Sequence, residues 1–450
     1  MFWKIFVPIT IVAYLFGFPV AEFAVHGFYP SLWPEAVQRP SAWFSVMVGS
    51  YGIEPLRIYR NMVFGQTQSL GPSGLIAAAW IAAGPFCAIV ACLAPSVGPQ
   101  RDPNATYGSA RWASARERRK MRVGLELGLD PLTGRPIRVL TESHLITIAP
   151  PRTGKTSGLV IPNLAAPERD AWFGPAVVSD PKGEIYRAVV DRRRALGRTV
   201  RCLDPIGIVG GTDTWNPLAH IDPTNILHLQ RIARALLPDN PTGDAIYFQN
   251  NAIDVIVAAF LVVHSVGKAS PANASMLISN ADKFEKYLVR ITGPVGARAK
   301  AILDMDAKAR DSILATAAQA FSWCADDRLR RLTTTSSFRF ADLSAGEIDL
   351  FIVLPVEDME SLTPLLRWFF SELFAQVRRR RPIEPVVCFI DEAATLGKFE
   401  EIVAVAGELP GHNLRLWTFW QDRSQMTRLY GKDGAKTLMN TAEIATYAQR

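Results

Sequence analysis

Ala149-Pro150-Pro151-Arg152-Thr153-Gly154-Lys155-Thr156-Ser157-Gly158 stands between two apolar runs, His144-Leu145-Ile146-Thr147-Ile148 and Leu159-Val160-Ile161. The order is strand, loop, helix start, the setting that a phosphate-binding loop requires. There, main-chain N–H groups of the loop and of the helix N-terminus point at the phosphates of a nucleotide. Lys155 adds a point charge to them, and the Thr156 hydroxyl is placed as a ligand of Mg²⁺. Pro151, Arg152, Thr153, Gly154 and Ser157 complete the expected binding loop, and ATP is the expected nucleotide. The pattern departs at position 149, where Ala replaces Gly. Alanine allows close approach as long as its φ is negative. The bland reading is a chance Gly-Lys-Thr in a helix cap.

Composition sets the outer bounds. The chain has 450 residues, more than one compact domain ordinarily holds. Hydrophobic residues make up 49% and charged residues 20%, and mean hydropathy is +0.10, which points to membrane segments. A net charge of +7 allows an anionic partner without requiring one. The five cysteines and six histidines have no metal-type spacing, which argues against a zinc site and a disulfide framework.

Residues 5–25 and 74–95 read as two membrane spans, with 26–71 as an external loop rich in Trp, Tyr and Pro. Gly84-Pro85 would kink the second span, as membrane helices tolerate. Behind it lie Arg101, Arg111, Arg116, Arg118, Arg119, Lys120 and Arg122. That basic flank belongs on the cytoplasmic side, which puts the anchor in a bacterial inner membrane with most of the chain in the cytoplasm. A cleaved signal peptide is the competing reading of the first span.

Beyond about Tyr107 strands alternate with amphipathic helices, the signature of a mostly parallel α/β sheet. Strands are expected at Ala176–Ser179, Thr199–Leu203, Asp349–Leu354, Val386–Ile390 and Leu414–Trp420, besides the one before the loop. A helix from Glu184 should stop at Gly197, and Thr363-Pro364 should cap a helix running to Arg378–Arg381. From Asp222 to Arg331 the pattern is helical only: Ile226–Leu237, Ala245–Val266 and Ala297–Cys324. The middle one tempts a third membrane assignment, but Asn250, Asn251 and Asp254 favour a buried helix of a bundle. The expected domains are therefore a membrane part (1–100), a nucleotide-binding part (101–221 with 336–450) and an inserted all-α part (222–335).

Val386-Val387-Cys388-Phe389-Ile390-Asp391-Glu392 delivers two acids at the end of an apolar strand, where parallel sheets hold ligands. Asp391 suits Mg²⁺ and Glu392 suits polarising a water, the division that hydrolysis of a γ-phosphate needs. A solvated acidic turn is the bland alternative. Gln421, at the end of the following strand, is placed to sense phosphate or orient water, or simply to hydrogen-bond at a strand end. Arg415 is a candidate arginine finger toward a neighbour's nucleotide, or a surface arginine. Asp180-Pro181-Lys182-Gly183-Glu184 either borders the nucleotide or forms an ion-paired turn. Arg192–Arg194 and Arg378–Arg381 read as solvated helix ends sooner than as DNA contacts.

Together these motifs resemble the type IV secretion coupling proteins of the TraG/TraD kind. The matching residues are Gly108-Ser109-Ala110-Arg111-Trp112-Ala113, the loop at 149–155, Val178-Ser179-Asp180-Pro181-Lys182-Gly183-Glu184, Trp215-Asn216-Pro217-Leu218 and Phe389-Ile390-Asp391-Glu392. The resemblance implies a RecA-like P-loop NTPase domain, ATP and Mg²⁺ bound between subunits, and a homohexamer with a central channel. It also implies partners: relaxase-linked, single-stranded DNA, the relaxosome and effector proteins, and components of the secretion channel. Relatives usually continue past the Gln421 region with at least one more strand and a helix, so a truncated product is one expectation here. Competing functions are a septal DNA translocase of the FtsK kind and a non-hydrolysing membrane receptor.

Overall fold

A computed structural model describes residues 113–165, 170–238 and 243–447, besides five isolated positions before them. Apart from those five positions, the two expected spans lie outside the described residues, as do the external loop and the Gly108–Trp112 part of the first motif.

Among the described residues a short helix, Ala115–Arg118, leads into a small antiparallel hairpin of β1 (Leu125–Leu129) and β2 (Pro136–Val139). The remaining strands form one seven-stranded sheet: β3 (His144–Ile148), β4 (Ala176–Ser179), β5 (Thr199–Leu203), β6 (Ile348–Ile352), β7 (Val386–Ile390), β8 (Leu414–Trp420) and β9 (Ala442–Tyr447). Their order is β5-β6-β4-β7-β8-β3-β9, and every neighbouring pair is parallel.

The inner strands are largely apolar and buried because both faces of the sheet are covered. Alternate residues feed two cores. Ile146, Ile148, Val177, Leu350, Ile352, Cys388 and Ile390 face the larger core. Leu145, Ala176, Val178, Phe351, Val387 and Phe389 face the smaller one, which is closed by Ile185 and Val189 of helix Glu184–Ala195. Register between β3 and β8 is pinned by buried polar groups. The Leu416 N–H donates to His144 Nδ1 at 2.8 Å, and Trp417 Nε1 donates to Thr147 Oγ1 at 2.8 Å. A slip of one residue would strand all of these.

Six strands fall where the sequence puts them, with the one expected at 349–354 shifted to 348–352. The structure adds β9, a polar edge strand whose alternate residues are exposed, and the hairpin. Neither carries the apolar run that announces an inner strand.

Between β5 and β6 the described residues hold no strand. Side-chain caps start four of its helices: Asn225 accepts from His228 N, Ser270 from Asn273 N, Asn280 from Lys283 N, and Asp306 from Ala309 N. The last of these caps explains a correction. The single helix expected over 297–324 is instead Pro294–Leu303 and Ala307–Gln319, followed by a short turn of tighter helix at Ser322–Ala325.

Helix Ala245–Ser265 is, among the described residues, the one long and apolar enough to cross a membrane. Here its Val255–Phe260 stretch is fully buried within the larger core, together with Ile313, Ala317 and Phe321 from its neighbours.

A second correction concerns Pro364. The helix begins at Met359, not at Thr363, and Pro364 lies inside it. Pro364 is the sixth residue of that helix, past the first four N–H groups that lack intrahelical partners, so its ring forgoes one intrahelical bond, the one to Glu360 O. Thr363 instead uses its hydroxyl, donating to Met359 O and Thr395 O at 2.6 and 3.0 Å.

Candidate nucleotide site

Strand order builds the site. In the sheet β8 separates β3 from β7, so the ends of β3 and β7 stand ~10 Å apart with the end of β8 between them. The loop after β3 therefore has to reach sideways. Ala149 N donates to Trp420 O at 2.8 Å, carrying the pairing to the loop's first residue. Ala149 itself is fully buried and keeps a negative φ, which is why it can stand where glycine is usual. The turn is then made by Arg152 and Gly154, with φ of 64° and 79°. The second is the conformation glycine takes without strain. Thr153 Oγ1 closes the turn on Pro150 O at 2.8 Å, and Ser157 Oγ donates to Gly154 O at 3.3 Å. The chain enters its helix through a widened π-type turn, Thr156–Val160, before Ile161–Ala165 becomes α-helical. Such turns recur at functional sites.

Lys155 and Thr156 then face the acids at the end of β7. Lys155 Nζ donates to Asp391 O at 2.8 Å and lies 3.5 Å from Glu392 Oε2. Thr156 Oγ1 donates to Asp391 Oδ1 at 3.0 Å. From the end of β8, Gln421 Nε2 donates to Glu392 Oε2 at 2.9 Å. Five side chains from three strand ends thus converge, although 236 positions separate Lys155 from Asp391. Glu392 Oε1 is buried without a hydrogen-bond partner.

Burial raises the Asp391 carboxyl above its ordinary range, against the pull of Lys155 and the Thr156 hydroxyl. Asp180, at the end of neighbouring β4, is raised to about 6 by burial first, with the Asp391 charge adding to it. Its Oδ2 accepts from Tyr186 N at 2.8 Å, so it also starts the helix that follows. Lys182 acts on Asp391 through charge. The Asp180–Glu184 loop therefore borders the acids, and Asp180 serves as a buried cap beside them.

Arg415 does not join this cluster in its own chain. It sits near the start of β8, opposite Val387, at the end of the sheet away from Asp391, where Glu443 and Glu142 are its charged neighbours. The two arginine runs also divide. Arg378 pairs with Glu408 and Glu401 at the surface. Arg193 is buried, and its ion pair with Asp349 fixes a helix to the sheet.

Sequence reading missed the groups that brace the loop after Glu392. Thr395 Oγ1 donates to Glu392 O at 2.7 Å, Tyr430 OH to Gly397 O at 3.2 Å, and buried Arg367 to Leu396 O at 2.8 Å. Arg367 also donates to Leu237 O at 3.2 Å, at the end of helix Ile226–Leu236 in the helical segment. A cation within the apolar stretch Leu365–Phe370 was the one available signal, since such a residue needs a buried acceptor.

Comparison with known proteins agrees with this geometry. The family described as type IV secretory system conjugative DNA transfer matches residues 107–450. The VirD4 protein of Rhizobium radiobacter is 25% identical over 321 residues, covering 68% of this chain and 46% of that protein. The conjugal transfer protein TraG of Escherichia coli is 25% identical over 392 residues, covering 74% of this chain and 60% of that protein. The chain thus spans about half the length of these relatives.

Among solved structures, the plasmid coupling protein TrwB in complex with a GTP analogue superposes with a TM-score of 0.56 at 18% identity. That match covers 73% of this chain and 75% of TrwB. TrwB with ADP and Mg²⁺ gives 0.55 at 19%, covering 74% and 76%. At such identity the likeness shows the fold: a RecA-type α/β sheet.

Proposed function

We propose, from the premise that the chain belongs to the type IV secretory conjugative DNA transfer family, that it is a membrane-anchored ATPase coupling a substrate to a secretion channel. The observation that carries this reading is the convergence of Lys155, Thr156, Asp391, Glu392 and Gln421.

The residues fit the cofactors. Thr156 Oγ1 and Asp391 Oδ1, 3.0 Å apart, are a hard-oxygen pair of the kind Mg²⁺ takes, and the ion keeps several waters besides. The positive-φ turn at Arg152 and Gly154 is the conformation that turns successive N–H groups toward an anion. TrwB was solved with ADP and Mg²⁺ and with an ATP analogue, which supports the same pair here.

Bound ATP would supply the phosphoanhydride, and its Mg²⁺ the charge that offsets the β- and γ-oxygens. Lys155 then exchanges its carboxylate and carbonyl partners for phosphate. Glu392 polarises the attacking water through its unpartnered oxygen, and Gln421 holds that carboxylate in place.

Residues 101–221 and 336–450 form the nucleotide-binding part, and 222–335 the part that meets substrate. Arg367 connects the loop after Glu392 to that helical part through Leu237. The N-terminal apolar segments anchor the chain in the inner membrane. The substrate is relaxase-linked single-stranded DNA or an effector protein, and a homohexamer forms the channel. Arg415 is kept as an arginine finger toward a neighbouring subunit.

The test is nucleotide binding and ATP turnover by the full chain in lipid nanodiscs, with and without single-stranded DNA. Lys155→Ala is expected to lose binding. Glu392→Gln is expected to keep binding and lose turnover ~10²–10⁴-fold, the worth of a positioned base. Equal, negligible turnover in the unsubstituted chain and both variants would assign the protein as a non-hydrolysing receptor.

A further inference from the structure

The hairpin of β1 and β2 takes no part in the site described above, yet it borders a basic cavity of about 910 Å³. Five arginines line it (Arg118, Arg119, Arg122, Arg135 and Arg138) against Asp130 and Asp170. Two of the five are already held. Arg118 donates to Asp130 Oδ2 at 2.7 Å and to Ala113 O at 2.6 Å, and Arg138 donates to Glu126 Oε2 at 3.2 Å. Arg119, Arg122 and Arg135 have no acid within ion-pair distance among the described residues, and all three are exposed. The cavity therefore carries uncompensated positive charge on a framework fixed by the other two.

A second feature adjoins it. Leu129 and Leu132, at the tip of the hairpin, are 61% and 79% exposed. The tip is rigidly built. Asp130 Oδ1 accepts from Leu132 N at 2.8 Å and from Thr133 N at 3.1 Å, while Asp130 N donates to Arg135 O at 2.8 Å. The carboxylate that steadies Arg118 thus also holds Leu132 out in solvent. Large side chains exposed beside clustered arginines are what a membrane interface selects: the apolar groups enter the headgroup boundary and the cations meet anionic lipid.

The sequence places this region close behind the second apolar segment. Residues 95–114 alone separate that segment's apolar heart, which ends at Ala94, from the helix at Ala115–Arg118. The tether limits how far the hairpin can stand from the bilayer.

We infer that the hairpin and its arginine cavity dock on the cytoplasmic leaflet and bind the phosphate of an anionic phospholipid. The inference rests on the membrane anchoring proposed above, and it gives the hairpin a role in setting the body of the protein against the bilayer. Anionic lipid would then regulate how the nucleotide-binding part is presented.

The test uses the full chain in nanodiscs of neutral phosphatidylcholine, alone or with phosphatidylglycerol. Leu132→Cys carries an environment-sensitive dye, with the unsubstituted chain as labelling blank, and chain-brominated lipids report depth. Quenching is expected in anionic discs and to fall several-fold in neutral ones. It is also expected to fall several-fold when Arg119, Arg122 and Arg135 are all replaced by Gln. Binding of a fluorescent ATP analogue by that triple variant, unchanged, shows that the fold is intact. Equal quenching in both lipids, or quenching indifferent to the triple variant, overturns the proposal. So does loss of oligonucleotide binding in the triple variant with the lipid response unchanged, which would give these arginines to nucleic acid. Failure of ATP binding in the unsubstituted chain would instead count against the proposed function and leave the lipid readout standing.

Discussion

Replacing Asp349 by Leu should destabilise the protein by ~3–5 kcal/mol, the cost of leaving one partner of a buried pair without the other. Asp349 is the second residue of β6, and its side chain is fully buried against Arg193, itself only 1% exposed. Its two oxygens accept from Arg193 Nε at 2.8 Å, Arg193 Nη2 at 2.9 Å and Ala176 N at 2.9 Å, with Arg198 farther off at 3.4 Å. Removing the carboxylate strands a guanidinium and the first N–H of β4. Each stranded donor costs ~1–3 kcal/mol, more for the charged one, which agrees with the range above.

Arg193 keeps Gly174 O at 2.8 Å and the rings of Trp172 and Phe173, so the loss should fall toward the lower end. The companion variant Arg193→Met/Asp349→Leu removes both charges, and apolar replacement of a buried pair is often close to neutral. It should therefore recover ~2 kcal/mol or more of the single variant's loss, a coupling expected of residues in contact. Urea unfolding followed through the buried tryptophans checks both values. Nucleotide affinity should stay unchanged in the folded fraction, since Asp349 opens β6 at the end of the sheet away from Asp391. A single variant that loses less than ~1 kcal/mol, or a double variant as unstable as the single, would refute the argument.

Two further outcomes follow from the site. Burial raises the Asp180 pKa from 3.8 to about 6, so the native chain holds that proton more tightly than the unfolded one. Its contribution is fully present below pH ~3.8 and is lost as pH rises toward 6, by up to ~3 kcal/mol. Asp180→Asn keeps an acceptor for Tyr186 N and removes the charge. Its stability relative to the unsubstituted chain should therefore grow across that window, and superimposable pH curves from denaturant unfolding would count against it. Gln421→Ala removes one hydrogen bond to the Glu392 carboxylate, worth ~1.5–3 kcal/mol for a charged acceptor. Turnover should fall ~10–100-fold with ATP binding kept, and loss of binding in a titration would show that Gln421 holds the nucleotide itself.

What the sequence could show depended on how each residue does its work. Strands β3, β4 and β7 were legible because both sides of each are buried and each ends at a residue of chemical consequence. Lys155, Thr156, Asp391 and Glu392 were legible because the phosphate loop and the acid pair each need a fixed local spacing. Where they meet was not contained in either motif, since the meeting depends on β8 coming between β3 and β7. The edge strand β9 escaped notice because one side of it faces solvent, so its residues alternate where inner strands run continuously apolar.

Arg193 escaped for the opposite reason. It stands between Arg192 and Arg194 in a run that reads as a solvated helix end, and only the partner on β6, 156 positions away, shows that it is buried. Arg367 follows the same logic. Its carbonyl partners Leu396 O and Leu237 O are main-chain atoms that any residue would offer, so the sequence does not mark those contacts. Motif chemistry is carried by local spacing and can be read along the chain. The contacts that aim the motifs are made with distant backbone, and they become visible only when the fold supplies the neighbour.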